Sequence, residues 1–366
     1  MNELAEAIPW LGSRNPKAAR HVVLALMMIA PLIAVLCGNT WVRILDFALL
    51  YVMLALGLNL VVGFAGLLDL GYIAFYAVGA YTWAFLASPH FGLHLPFWLV
   101  LPLGAGFAAC AGIILGFPVL RLRGDYLAIV TLGFGEIVRI FMNNLNYPIN
   151  VTNGPQGINM LDSLSLFGWD ISRHIPITEN FKINSLVLFY YVFLLFVVGS
   201  VIVIRRLQIS RIGRGWAAIR DDELAAKAIG INTRNMKLLA FSLGATFGGV
   251  AGGLFGSFQG FVSPESFSLM ESIAILTMVV FGGMGNLGGV IIGAVALSLL
   301  PEILRSVALP VQQQLFGHVI LDPEVLRMLL LSLAMIFMML LRPAGLMPAH
   351  SRYSRPELVI AGKEKA

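Results

Sequence analysis

Ten apolar runs follow one another along this chain, at 22–38, 43–63, 67–87, 97–118, 126–142, 184–204, 237–258, 268–284, 287–305 and 325–341. A helix rises 1.5 Å per residue, so about 20 apolar residues cross the roughly 30 Å hydrocarbon core of a bilayer. The runs therefore read as membrane spans. Only 12% of the residues are charged and 58% are apolar, against about 25% charged in soluble domains. Such a chain cannot keep its surface in water. The expected fold class is an all-α integral membrane bundle of ten transmembrane helices.

Charge sets the orientation. Arg14, Lys17 and Arg20 hold the N-terminal segment 1–21 in the cytoplasm, because Lys and Arg stay on the inner side. Alternating from there, Arg121 and Arg123, the stretch Arg205–Lys237 and the tail after Arg342 all fall inside. The longest remaining loops, 143–183 and 306–324, fall outside and are poorer in Lys and Arg. An even span count with both ends inside fits every basic cluster. Residues 22–348 then form one transmembrane domain, and the polar tail 349–366 is expected to be disordered. The oily start carries no small-x-small cleavage site, so an uncleaved first span is expected. The short turns at 64–67 and 285–287 are the places where a broken or re-entrant helix would fit.

Several functions are excluded. The net charge of +5 belongs to loops between spans and forms no basic stripe with interleaved aromatics, so no nucleic acid is expected. Cys37 and Cys110 lie in apolar runs without metal spacing, and the six histidines are scattered; no metal and no cofactor is expected. Gly283-Met-Gly285-Asn-Leu-Gly288 spells a dinucleotide fingerprint, but it lies between two apolar runs with no strand–helix unit around it. Gly362-Lys363 is followed by Glu364, so no phosphate-binding loop exists. Without a fuel site of its own, a pump must draw on a gradient or on a partner.

The 33-residue island Arg205–Lys237 carries eight basic residues and the acidic run Asp221-Asp222-Glu223. Gly213 to Arg220 reads as a short helix. Asp221 or Asp222 can cap a second one over Glu223–Ile229, and Gly230 would stop it in a left-handed conformation. Trp216, Ile219, Ala225, Ala226 and Ile229 are the apolar side chains this elbow has to offer. It either rests on lipid or docks a cytosolic motor.

Glycines recur every fourth residue at Gly244, Gly248, Gly252, Gly256 and Gly260. They line one stripe of the seventh span, where another helix can approach closely, either within the bundle or at a subunit seam. Gly104, Ala108, Gly112 and Gly116 do the same on the fourth. Glu136 and Arg139 share a face of the fifth span and can pair, as a structural pin or as a gate. Asp46, Asp69, Glu265 and Glu271 stand near span ends, where interfacial water is expected to solvate them. Asn150-Val-Thr152 matches a common glycosylation sequon of little weight, and Asn184 is a plausible cap for the sixth span. The glycine-rich stretches 62–71 and 280–288 resemble each other weakly.

Beyond these readings, Glu223-Leu-Ala-Ala-Lys-Ala-Ile-Gly230 resembles, in divergent form, the coupling motif of bacterial ABC importers. Longer blocks resemble the LivM-type permeases for branched-chain amino acids. They are 54–62, 69–81, 122–139, 259–266, 282–286 and Arg342-Pro-Ala-Gly-Leu346. The similarity runs over roughly residues 45–348. It implies a type II ABC importer-like permease bundle in the bacterial inner membrane that moves leucine, isoleucine or valine. It also implies a heterodimer with a homologous second permease, two cytosolic ATP-binding subunits and a periplasmic amino-acid-binding protein, all beside membrane lipid. On this resemblance Gly213, Arg214, Trp216, Arg220, Asp221, Asp222, Glu223, Ala226 and Gly230 would meet the ATPase. Asn153, Gly154, Pro155 and Gln156 would face the binding protein. Asn59, Asp69, Thr131, Glu136 and Arg139 are candidates for the path or its gate. Urea and short-amide importers share the pattern. A stand-alone gradient-driven carrier and a membrane-embedded enzyme are the rivals from other classes.

Overall fold

The structure, a computed structural model, describes residues 27–36, 38–119, 122, 124–147, 149–166, 169–170, 175–178, 181–316, 323–342 and 345–347. The segment 1–21, the basic turn residues Arg121 and Arg123, and the tail 349–366 lie outside them.

A helix stands at each of the ten apolar runs: α1 (Met27–Leu36), α2 (Asn39–Asn59), α3 (Ile73–Leu86), α4 (Phe97–Val119), α5 (Asp125–Asn144), α6 (Ser185–Ile209), α9 (Thr233–Gln259), α10 (Leu269–Gly282), α11 (Leu287–Phe316) and α12 (Pro323–Leu341). Between α6 and α9 lie the short α7 (Arg211–Asp221) and α8 (Glu223–Ala228). Among the described residues, five helices are long and apolar enough to cross a membrane, and shorter apolar ones accompany them. Asn184 caps α6, its side chain accepting from Leu186 N.

Two expectations need correction. The run 67–87 is not one helix. A π-helical turn, Leu60–Phe64, ends α2, and Ala65–Gly71 is not helical, so α3 begins only at Ile73. The expected loop 306–324 is largely helix, because α11 continues to Phe316. The loop 143–183 carries short strands: Ile158–Asn159 pairs with Phe261–Val262, Ser165–Leu166 with Trp169–Asp170, and Ile175–Thr178 with Phe181–Ile183.

The shortness of α3 has a physical consequence. Fourteen residues span only about 21 Å at 1.5 Å per residue. The irregular stretch before α3 is nonetheless buried, with Ala65 and Leu67 at 2% and 6% exposure. Irregular backbone at such a place must find its hydrogen bonds inside the protein. It does so: Leu67 N donates to Val61 O, Leu70 N to Thr131 Oγ1 and Gly71 N to Asp69 Oδ1, while Leu70 O accepts from Ser272 Oγ. The break is therefore a built part of the bundle.

The centre of the bundle is α9. A Cβ on Gly244 would stand 2.5 Å from Val61 Cγ2, and one on Gly248 3.1 Å from Phe75 Cβ. On Gly252 it would overlap Tyr76 O and Ala80 N, and on Gly256 it would meet Trp83 at 3.2 Å. The stripe thus faces α2 and α3 of the same chain. Gly249 faces α4 through Ala108 and Gly104. Gly260 does not belong to the stripe: at φ +66° it ends α9, and nothing lies within 4 Å of where its Cβ would be. Helices meeting backbone to backbone gain dispersion contacts that lipid cannot offer.

Candidate coupling elbow and broken helices

The elbow is built by capping. Ser210 caps α7 by accepting from Ile212 and Gly213 N (3.2 and 3.4 Å). Asp222 caps α8 through Leu224 and Ala225 N (2.8 and 3.1 Å). Gly230 follows at φ +88°, and Asn232 caps α9 through Asn235 N. Each acceptor satisfies N–H groups that a helix start would otherwise leave orphaned.

Its orientation differs from the sequence expectation. Trp216, Ile219 and Ala226 do not face outward; they are 0%, 5% and 1% exposed. Trp216 Nε1 donates to Met236 O at 2.8 Å, which pins α7 to the start of α9. Trp216 and Ala226 therefore position the elbow from within. The outward face carries Arg214, Asp221, Asp222, Gly230 and two apolar side chains, Leu224 and Ile229. Arg214 Nη1 donates to Ile209 O (3.2 Å).

Lys237 was not singled out by sequence, since a lone lysine in a basic island carries no signal. Its Nζ lies 2.8 Å from Glu223 Oε2, with the lysine side chain 7% exposed. Lys227 adds a looser contact to Glu223 at 3.4 Å. Burial opposes ionisation of Glu223, but Lys237 and then Lys227 outweigh it and hold its carboxyl below the ordinary glutamate range.

One residue joins this elbow to the broken helices. Arg220 Nη1 donates to Gly63 O in the π turn, and its Cγ lies against Gly66. From there the contacts continue. Asn59, fully buried, accepts from Gly285 N at 2.8 Å. A Cβ on Gly345 would strike Gly283 Cα, and Leu346 and Met347 N donate to Phe281 and Gly282 O. The two weakly similar glycine-rich stretches thus meet at the elbow end of the bundle, with Gly345, Leu346 and Met347 packed beside them.

The path candidates separate into two groups. Asp69 and Thr131 meet at the break: Asp69 Oδ1 accepts from Gly71 N (2.9 Å), while Thr131 Oγ1 accepts from Leu70 N and donates to Ala128 O (both 3.0 Å). Asp69 and Asp46 are not solvated at an interface; both are 0% exposed, and Asp69 Oδ2 and both Asp46 oxygens have no partner among the described residues. Glu136 and Arg139 do pair (2.8 Å), and Arg139 continues to Glu265 at 3.2 Å, in the short 3-10 helix Pro264–Phe267 before α10. Glu271 is held by Tyr51 OH at 2.9 Å.

At the opposite end Asn153 is left-handed (φ +60°) and locked, its N donating to Asn150 Oδ1 and its Nδ2 donating to Gly157 O. Gly154 is buried, whereas Pro155 and Gln156 are exposed. Only the last two present a surface.

Comparison with known proteins decides the family. The family model described as the branched-chain amino acid transport system, permease component, matches residues 40–339. The chain belongs to this family. It is 43% identical over 347 residues to the high-affinity branched-chain amino acid transport system permease protein LivM of Escherichia coli K12, covering 92% of this chain and 76% of that protein. It is 24% identical over 254 residues to LivH of the same organism, covering 68% and 80%. It is also 24% identical over 274 residues to the probable LivM of Methanocaldococcus jannaschii, covering 75% and 74%. No solved structure matches this permease. The matched region includes the elbow, both glycine-rich breaks and the α9 stripe.

Proposed function

We propose that this chain is a transmembrane permease subunit of an ABC importer that carries leucine, isoleucine or valine across the bacterial inner membrane. The observation that carries this reading is the elbow. It turns an outward face with Leu224 and Ile229 away from the bundle, yet Arg220 grips the break in α2. A motor seated on that face would pull directly on Gly63 and, through Asn59, on the α10–α11 turn. ATP hydrolysis in two cytosolic subunits drives the change, so the chain is not itself an enzyme.

In this reading ten helices span the membrane in a type II arrangement with both ends in the cytoplasm. The transmembrane domain is 22–348, with the coupling elbow at 205–237 and the periplasmic loop at 143–183. Segments 1–21 and 349–366 are cytoplasmic. The partner permease is of the LivH kind, in keeping with the similarity of this chain to both LivM and LivH. Exposed apolar side chains on α5 (Ile137, Ile140, Phe141) and α12 (Leu333, Ile336, Phe337) offer it and lipid a surface. Pro155 and Gln156 meet the periplasmic binding protein.

The test is co-purification of the tagged chain with the ATP-binding proteins encoded beside it, then ATP-dependent leucine uptake in vesicles with and without the binding protein. Uptake that needs ATP, ATPase and binding protein supports the reading. Transport of urea instead of leucine would favour the amide-importer alternative. Leucine movement through the chain alone would favour a gradient-driven carrier.

A further inference from the structure

A cavity of about 210 Å³ lies beside the middle of α2. Its apolar wall includes Phe47, Leu54 and Phe255, and its polar wall Tyr51, Tyr76 and Glu271. This is well below the roughly 300–1,000 Å³ of drug-sized pockets, and its mixture of surfaces suits one small amphiphile. Tyr51 OH donates to Glu271 Oε2 at 2.9 Å. That neutral donor orients the carboxyl group and brings no positive charge to it. A carboxylate set among apolar side chains is costly unless a cation or a strong donor meets it. Arg139 is directed elsewhere, to Glu136 and Glu265. Among the described residues no cation stands against Glu271, and the complement that would suit it is a small cation attached to an apolar body.

We propose that this cavity, beside the middle of α2, is a resting site for one free aliphatic α-amino acid within this subunit. The ammonium group sits on Glu271 beside the Tyr51 hydroxyl. The branched side chain lies against Phe47, Leu54 and Phe255. Both short helices begin at the cavity: Ile73, the first residue of α3, lines it, as does Glu271 in the first turn of α10. The first turns of two short helices therefore border the cavity. The site deepens the importer reading and rests on it.

The test uses the complete transporter in proteoliposomes, with labelled leucine and valine at saturating loaded binding protein. Glu271→Gln should lower uptake of both about tenfold. Phe255→Trp should fill the apolar wall and reduce the leucine-to-valine rate ratio about fivefold. Phe255→Leu should move that ratio the other way, and a merely structural role would not. An unchanged ratio in both Phe255 variants overturns the site, even if Glu271→Gln is slow. So does wild-type uptake by Glu271→Gln, as would follow from a cavity filled by lipid. If the unaltered transporter takes up neither amino acid with ATP, the importer reading itself fails.

Discussion

Arg220→Met isolates the link between the elbow and the bundle. The methionine keeps an apolar stem against Gly66 but loses the donation from Nη1 to Gly63 O. Hydrogen bonds to charged groups contribute about 1.5–3 kcal/mol. Arg220 is largely exposed, so water competes for the guanidinium and the lower figure applies. About 1–1.5 kcal/mol is a factor of roughly five to ten in the equilibrium between coupled and slack arrangements. The effect should appear as slippage, not as misfolding, because Trp216 and Lys237 still hold the elbow. The assay is leucine transported per ATP hydrolysed in proteoliposomes. The ratio should fall five- to tenfold while hydrolysis continues, and Arg220→Lys should recover part of it, since lysine restores a charge without the planar fork. A wild-type ratio in Arg220→Met would refute the idea that force enters through Gly63.

Three further outcomes follow from the same contacts. Gly252→Ala places a Cβ on backbone atoms of α3, which cannot swing away as a side chain could; overpacking of this kind costs about 1–3 kcal/mol or more, and a lower midpoint in detergent thermal unfolding measures it. The stability that Glu223 lends the elbow should be present at neutral pH and lost in acid, because its pKa is depressed in the folded state. Protection from hydrogen exchange over 205–237, taken relative to the intrinsic exchange rate at each pH, should therefore fall as pH drops below the ordinary glutamate range toward the lowered value, and Lys237→Met should be weakly protected at every pH. Leu224→Asp with Ile229→Asp should abolish co-purification with the ATP-binding subunits while leaving membrane insertion intact, since both side chains point outward; retained co-purification would remove this face as the docking surface.

Much of the bundle was readable from sequence because its signals are local. An apolar run of span length needs no distant partner to be a helix in lipid, and Asp222 and Gly230 act on neighbours within three residues. The same locality placed the elbow helices within a residue or two. Nothing local distinguishes a glycine that packs inside a bundle from one at a subunit seam. That depended on Tyr76 and Phe75 arriving from another helix. Nor could sequence reveal that Trp216 turns inward, that Lys237 meets Glu223, or that the break expected at 64–67 runs on through Gly71 despite the apolar character of that stretch. Each outcome is set by hydrogen bonds and contacts between residues far apart in the chain, such as Leu70 with Thr131 and Ser272, or Asn59 with Gly285. Apolar length alone determined that this polypeptide becomes a set of helices in lipid. Only the tertiary structure decided where two of them stop short, because irregular backbone survives there solely through partners that other helices supply.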